Sequence, residues 1–294
     1  MAIGVNNLIL AQDYNGIQTE VNNTLFSVGS GDRGYGQTVT SAQVTAGSLV
    51  TAQHLINLKI DLDKISFHQT NTASSAPAVN VGGTIKASDW AAYSTAINNL
   101  TQSRLTISDS TAQGTWLLDQ VAPTMTQWGG TRIHSLTVDF ANFNQGRYFF
   151  NSGGEIRIVP RQTSYSSSTT KGGRWNNLFS NLGTSGVRFR ANSTLSSGGT
   201  SATTIGFYQL TVTDQIIHTS TDTGTYFGNQ FKVEAKKDST GRYVYFKITF
   251  DDSGVFGNID EPVEGTTTSS VGTFRATGSY VAVPSPTFTT NSGP

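Results

Sequence analysis

The period of the apolar residues changes once along this chain, near residue 105, and that change limits the folds open to it. Before it, apolar side chains recur at spacings of three and four, the signature of one helix face. Tyr14, Ile17, Val21 and Leu25 form one stripe; Leu55, Leu58, Leu62 and Ile65 a second; Trp90, Tyr93, Ile97 and Leu100 a third. The third start is the clearest. Ser88 is the expected N-cap, and Asp89 in the first turn suits the positive end of the helix dipole. Asn and Thr are frequent in the first and third segments. They are mediocre helix formers, so these helices need tertiary or quaternary support.

The segments read as divergent repeats. Residues 9–23 and 85–99 share Ile9/Ile85, Ala11/Ala87, Asp13/Asp89, Thr19/Thr95, Asn22/Asn98 and Asn23/Asn99, with Tyr14 and Trp90 at one aromatic position. Residues 49–63 fit the same frame more weakly, with His54 at the aromatic position. A reused capped helix explains this; chance similarity of two amphipathic helices is the alternative. Between the first two helices Ser27–Thr38 is a glycine-rich loop. Its Gly29, Gly31 and Gly34 lack the preceding strand that a dinucleotide fingerprint needs. Residues 69–83 form a second connection.

From residue 106 onward short alternating runs dominate. Ile133–Phe140 predicts a strand with His134, Leu136, Val138 and Phe140 on one face and Ile133, Ser135, Thr137 and Asp139 on the other. Arg147–Phe150 and Glu155–Val159 around Asn151–Gly154 predict a hairpin, with φ > 0 at Gly153 or Gly154. Further strands are expected at Gly186–Arg190, Ile205–Thr213, Gln215–Thr219, Asn229–Ala235, Tyr243–Phe250 and Phe274–Val283. Lys236–Arg242 is a turn between two of them, and Trp175–Leu182 a short helix. The expected fold class is α+β. A small N-terminal helical region, residues 1–105, serves docking and oligomerisation, and an antiparallel β-sandwich, jelly-roll-like, spans residues 106–294. Deleting residues 1–105 is then expected to leave a soluble monomeric β domain.

Composition narrows the function. Lys+Arg and Asp+Glu are 19 each, so the net charge is zero, against the basic surplus that binding a nucleic-acid backbone requires. Charged residues make 13% of the chain, about half the usual roughly 25%, and Ser, Thr and Gly take their place. The absence of cysteine excludes disulfides and thiolate chemistry. No run approaches the roughly 18 apolar residues of a membrane span. The opening MAIGVNNLILAQDYNG lacks a basic leader, so synthesis in a cytoplasm is expected.

Catalytic signals are sparse. His54, His68, His134 and His218 stand in no metal-ligand spacing, and His134 on a strand face reads as structural. No nucleophile elbow or P-loop occurs. Asp251, Asp252, Asp260 and Glu261 form the one acidic concentration. Oxygen ligands there suit calcium, or a glycosidase carboxylate pair, or simply a solvated strand end, which is the plainer reading. Trp116, Trp128, Trp175, Phe140, Phe143, Tyr148, Phe149, Phe150, Tyr243, Tyr245 and Phe246 are expected in the core, where exposure would instead suggest glycan stacking. The expectation is therefore no catalytic residue, no cofactor and no metal.

Three stretches carry a resemblance: Arg147–Ile158 (RYFFNSGGEIRI), Gly34–Val39 (GYGQTV) with its following helix, and Lys171–Leu178 (KGGRWNNL). Together they resemble virion structural proteins of tailed bacteriophages, notably myophages of cyanobacteria and marine bacteria. The resemblance covers most of the chain. It implies a multi-copy component of neck, tail, baseplate or fibre attachment, and supplies no catalytic residues. It also implies assembly in the host cytoplasm and a place in the virion among its own copies and neighbouring virion proteins; the three stripes, more than a thin three-helix unit can hide alone, predict a homo-oligomer, and charge and hydropathy predict no nucleic acid and no membrane. A carbohydrate-binding module of a tail fibre is the alternative; a hydrolase would require clustered carboxylates in a pocket. Ala2–Leu10 and residues 284–294 are expected to be ordered only against a neighbour.

Overall fold

The computed structural model describes residues 9–26, 30–108, 114–201, 203–255, 257, 260–283 and 285–292. Residues 2–8 of the apolar N-terminal stretch, Gly29 and Pro284 lie outside the described residues. The fold is α+β with two antiparallel sheets. The chain divides into two units. One takes residues 1–115, 147–154 and 275–284; the other takes residues 116–146, 155–274 and 285–294. The division is thus not a single cut at residue 105: two stretches of the β region belong with the helices.

The first unit is built on α1 (Ala11–Leu25), α2 (Ala52–Thr70) and α3 (Ala87–Gln102). Their stripes are buried position for position: Tyr14/Leu55/Trp90, Ile17/Leu58/Tyr93, Val21/Leu62/Ile97 and Thr24/Ile65/Leu100. Each start is closed alike. The third helical residue reaches back to a backbone N–H: Leu10 N donates to Asp13 Oδ2 at 3.1 Å, Thr51 N to His54 Nδ1 at 3.0 Å, and Lys86 N to Asp89 Oδ2 at 2.9 Å. Two expectations are corrected. Lys86, not Ser88, holds the N-cap position, because Asp89 closes the turn from inside. The second helix sits one residue out of its expected frame: His54 occupies the capping position and Leu55 the aromatic one.

Loop residues are laced onto these helices by side chains. The buried Asp61 carboxylate accepts from Thr40 N and Ser41 N (2.7–3.0 Å). Asn15 exchanges two 2.8 Å hydrogen bonds with the backbone of Val44. These bonds satisfy backbone groups that no ladder serves.

The expected hairpin at Arg147 is overturned. Phe143–Asn151 is a helix, α4, opened by Asn142, whose Oδ1 accepts from Gln145 N at 3.0 Å. The Tyr-Phe-Phe run reads as strand from propensity alone, but its burial follows a helical face: Gly146, Arg147, Phe149, Phe150 and Asn151 are buried, while Tyr148 is half-buried. Gly153 does take positive φ (80°), ending the helix; Gly154 does not.

The second unit holds the sheets. One runs β1 (Gly114–Val121), β11 (Val263–Ala276), β4 (Glu155–Thr163), β5 (Val187–Phe189), β6 (Thr194–Leu195), with β2 (Thr124–Trp128) also on β11. The other runs β12 (Thr287–Ser292), β3 (Gly130–Asp139), β10 (Tyr243–Asp252), β9 (Gln230–Lys237), β8 (Gln215–Thr221), β7 (Thr200–Ser201). They face one another: Phe189 of β5 meets Phe246 of β10 edge-on at 5.3 Å, and Trp128 of β2 meets Phe250 of β10 at 6.0 Å. Helix α5 (Lys171–Ser180) packs on β4 and adds Trp175 and Phe179 to this aromatic core. The faces of β3 are as expected, with His134, Leu136 and Val138 buried.

Three strand expectations fail. Ile205–Thr213 contains a single turn of 3₁₀-helix at Phe207–Gln209, which buries Phe207. The long strand is Val263–Ala276, not Phe274–Val283; beyond it only Thr277 and Ala282 form a bridge. Its GTTTSSVGTF run is polar, yet Thr267, Ser269, Ser270 and Thr273 are buried. The hydroxyls of Thr267 and Ser269 find interior partners: Trp128 Nε1 donates to Thr267 Oγ1 (2.8 Å), Thr267 donates to Gln162, and Ser269 Oγ meets His134 Nδ1 at 2.7 Å. Finally, the C-terminal residues need no neighbour to form a strand. Thr287–Ser292 pairs with β3 at the sheet edge, starting directly after Pro286, where a missing N–H costs no ladder bond. No helix among the described residues is long and apolar enough to cross a membrane.

Candidate functional site

The acidic concentration sorts itself by strand alternation. Asp251 and Asp252 end β10, and successive side chains of a strand point to opposite faces. Asp251 lies on the outer side, where Thr131 Oγ1 donates to it at 3.3 Å. Asp252 turns inward and its side chain is 0% exposed. Adjacent carboxylates facing apart form neither a glycosidase pair nor a shared cation site.

What Asp252 meets is Lys171, the first residue of α5, itself 1% exposed. Lys171 Nζ is 2.9 Å from Asp252 Oδ1, 3.0 Å from Asp260 Oδ1, and donates to Glu261 O at 2.8 Å. The Tyr226 ring stands 5.8 Å from Nζ, and its hydroxyl donates to the Glu261 carboxylate. The place a cation would take among these acids is thus filled by an ammonium group. Among the described residues, no three His, Asp or Glu side chains are grouped to hold a metal.

The local sequence explains how Lys171 arrives there. Thr170 caps α5, its hydroxyl accepting from Gly173 N at 3.3 Å. Gly172 and Gly173 let the helix start press against backbone: a Cβ would lie 2.6 Å from Glu264 O at the first and 2.0 Å from Ser167 O at the second. One turn on, Arg174 grips Asp222 with two nitrogens and fixes the loop that carries Tyr226. Behind Asp252, Asn229 Oδ1 accepts from Gly254 N at 2.7 Å and Ser253 Oγ donates to Gly228 O at 2.8 Å.

The Lys171–Asp252 contact is close but misaligned. Both Asp252 oxygens are shut from solvent, and neither takes part in a hydrogen bond of ordinary geometry. Trp175 Nε1 leans toward the same carboxylate, again without completing one. Burial raises the Asp252 carboxyl above its usual range, and the neighbouring Lys171 offsets this only in part.

A second charged cluster lies around Glu155. Its buried carboxylate accepts from Arg157 Nε (2.7 Å) and from Arg188 Nε and Nη2 (2.9 and 2.6 Å), with Arg190 Nε at 3.2 Å. Burial alone would raise this carboxyl; the Arg188 hydrogen bonds and the charges of Arg157 and Arg188 outweigh it and hold it below the usual range.

The histidines are dispersed. His54 caps α2. His68 Nε2 meets Ser152 O at 2.8 Å, and burial pushes its pKa down to about 4. His218 lies tilted against the Phe231 ring at 5.7 Å with Nδ1 near Ser196 and Ser201, and is likewise pushed to about 4 by burial. His134, bonded to Ser269, is also lowered by burial.

Of the aromatics expected in the core, Phe143 is exposed, Tyr243 and Tyr245 are only half-buried, on the outer side of β10, and the Trp116 side chain lies outside the described ones. The two tyrosine rings stack at 6.2 Å, and the Arg242 guanidinium lies 4.6 Å from the Tyr243 ring centre, held by a two-nitrogen grip on Asp139. A cleft of about 490 Å³ between β4 and α5 offers a single titratable side chain, Arg161. Sequence reasoning singled out Asp252, Asp260 and Glu261 but missed their cation. The only signal was the Lys-Gly-Gly at the start of α5, a lysine next to residues that allow close approach.

No protein-family model, curated protein or solved structure matches the chain.

Proposed function

We propose that this chain is a non-enzymatic structural protein of a tailed-bacteriophage virion, present in many copies in the neck, tail, baseplate or fibre attachment. One observation supports this reading best: the chain's most distinctive sequence stretches are spent on holding it together. Arg147 and Asn151 clamp the backbone of residues 31–34. Lys171 is enclosed by Asp252, Asp260 and Glu261. An enzyme directs such groups into a cleft; a load-carrying subunit uses them as internal ties. Self-association is part of the proposal. Leu49, 83% exposed, and Leu10, 51% exposed, line one cleft with Ala46 and Gly47 in the helical unit, an apolar patch suited to a second copy. Peptide mass mapping of purified phage particles whose genome encodes this chain tests the reading. Stoichiometric recovery from particles is expected; absence from washed particles rejects it.

A carbohydrate-binding reading draws on the stacked Tyr243 and Tyr245, since paired outward rings suit sugar faces. Glycan-array binding lost in Tyr243→Ala and Tyr245→Ala would favour it.

A further inference from the structure

We propose that Lys171 and Asp252 join covalently, Nζ to Cγ, in an intramolecular isopeptide bond. The inference rests on the geometry of the pair and not on where the chain works.

Four observations converge. The two side chains are the most completely enclosed ionic pair among the described residues, at 1% and 0% exposure. Nζ lies 2.9 Å from Oδ1, and Cγ is one C–O bond from that oxygen. The contact is not a hydrogen bond of ordinary geometry, so the nitrogen is near the carboxyl group without being aligned to its accepting directions. A third polar group is in place: Asp260 Oδ1 is 3.0 Å from Nζ, and Asp260 is 72% exposed, in touch with bulk water.

Chemistry gives the pair a reason to react. Two buried charges are costly to keep from water unless fully hydrogen-bonded, and here the carboxylate is not. Holding amine and carboxyl in contact converts a slow bimolecular reaction into an intramolecular one. The pair itself is almost wholly shut from solvent, and Trp175, one turn along α5 from Lys171, leans toward the same carboxylate.

The atoms balance without any other reactant. Nζ begins with three protons. One passes to the Asp252 carboxylate, leaving a neutral amine facing a carboxylic acid. The Nζ lone pair adds to Cγ. Asp260 takes a second proton from nitrogen and returns it to the departing oxygen. The Cγ–O bond breaks, one water leaves, and the amide keeps the last N–H. Nothing is oxidised or reduced. Asp260 is the proton carrier, and Tyr226 holds Glu261, whose main-chain oxygen positions Nζ.

Intact mass and peptide mapping of the purified full-length protein decide the matter. The expected result is a chain one water molecule lighter than its sequence, with a branched tryptic species joining the peptides that contain residues 171 and 252. Lys171→Ala and Asp252→Ala should each show the full mass of their own sequences. Asp260→Ala, a change at an exposed position, should retain a cooperative melt while cross-linking slows at least tenfold. A wild-type protein with a cooperative melt, full mass and unlinked peptides would overturn the proposal. So would a water loss that fragmentation places elsewhere, such as a cyclised aspartyl residue. Unaltered cross-linking in Asp260→Ala would remove the proton carrier assigned here.

Discussion

Arg147 and Asn151 stand one helical turn apart and reach the same two backbone carbonyls, those of Gly31 and Arg33. On a strand their side chains would be separated by four residues of extended chain; on α4 they converge. The two side chains donate to the carbonyls of Gly31, Arg33 and Gly34, while Arg104 Nε donates to that of Asp32. The same contacts change what a truncation would do. Removing residues 1–105 would strip Arg147 and Asn151 of their acceptors and would not leave an intact β domain.

Asn151→Ala should therefore destabilise the protein by about 1–3 kcal/mol, the cost of taking from the buried Gly34 carbonyl its amide donor while Arg147 still holds Gly31 and Arg33. Denaturant unfolding with the slope held constant measures it. Asn151→Asp supplies no amide donor and should be no milder. A midpoint equal to wild type in both variants would show that water replaces the amide.

Gly153 closes α4 at φ 80°, and a Cβ there would lie 2.9 Å from Ile107 N and Thr106 C. Gly153→Val combines a strained backbone with a contact that must shift. A loss of roughly 1–3 kcal/mol is expected. A thermal melt within error of wild type would contradict this geometry.

Stability should fall on mild acidification. His68 and His218 have folded-state pKa values near 4, depressed by burial from 6.5. A depressed histidine stays neutral in the fold while the unfolded chain takes up the proton. The stabilisation is complete above pH 6.5 and is lost as pH falls from 6.5 toward 4. Each histidine contributes on the order of 3 kcal/mol over that window. Unfolding free energies at pH 7 and pH 5 should show the drop, and His218→Gln should flatten the slope. Equal stability at both pH values would mean the rings are hydrated in solution.

Glu155 neutralises a group of three arginines, so its removal leaves like charges facing one another. Glu155→Gln should cost about 3 kcal/mol or more, as breaking a buried pair does. Arg190→Ala should cost under about 1 kcal/mol, since Arg190 is the most distant and partly exposed partner. Calorimetric melting of the two variants ranks them; the reverse order would show that the cluster is held through Arg190.

Elements whose burial is periodic along the chain are legible in the amino-acid order alone. The stripes of α1, α2 and α3 and the alternation of β3, β9 and β10 are written at spacings of 3.6 and 2, because each such face packs on apolar surface and needs nothing more specific. The remaining features depend on contacts made between distant parts of the chain. Residues 143–151 chose helix over strand because their polar partners lie more than a hundred residues earlier. Residues 263–276 form a central strand with a Thr/Ser interior because Trp128, Gln162 and His134 meet their hydroxyls. Whether His54 or Leu55 faced the helical core was settled by a one-residue register. Asp252 acquired its chemistry from Lys171, 81 positions away by numbering (252 − 171). A hydrogen-bonding or ionisable side chain takes its meaning from the group it meets, and chain order carries no record of that meeting until the fold makes it.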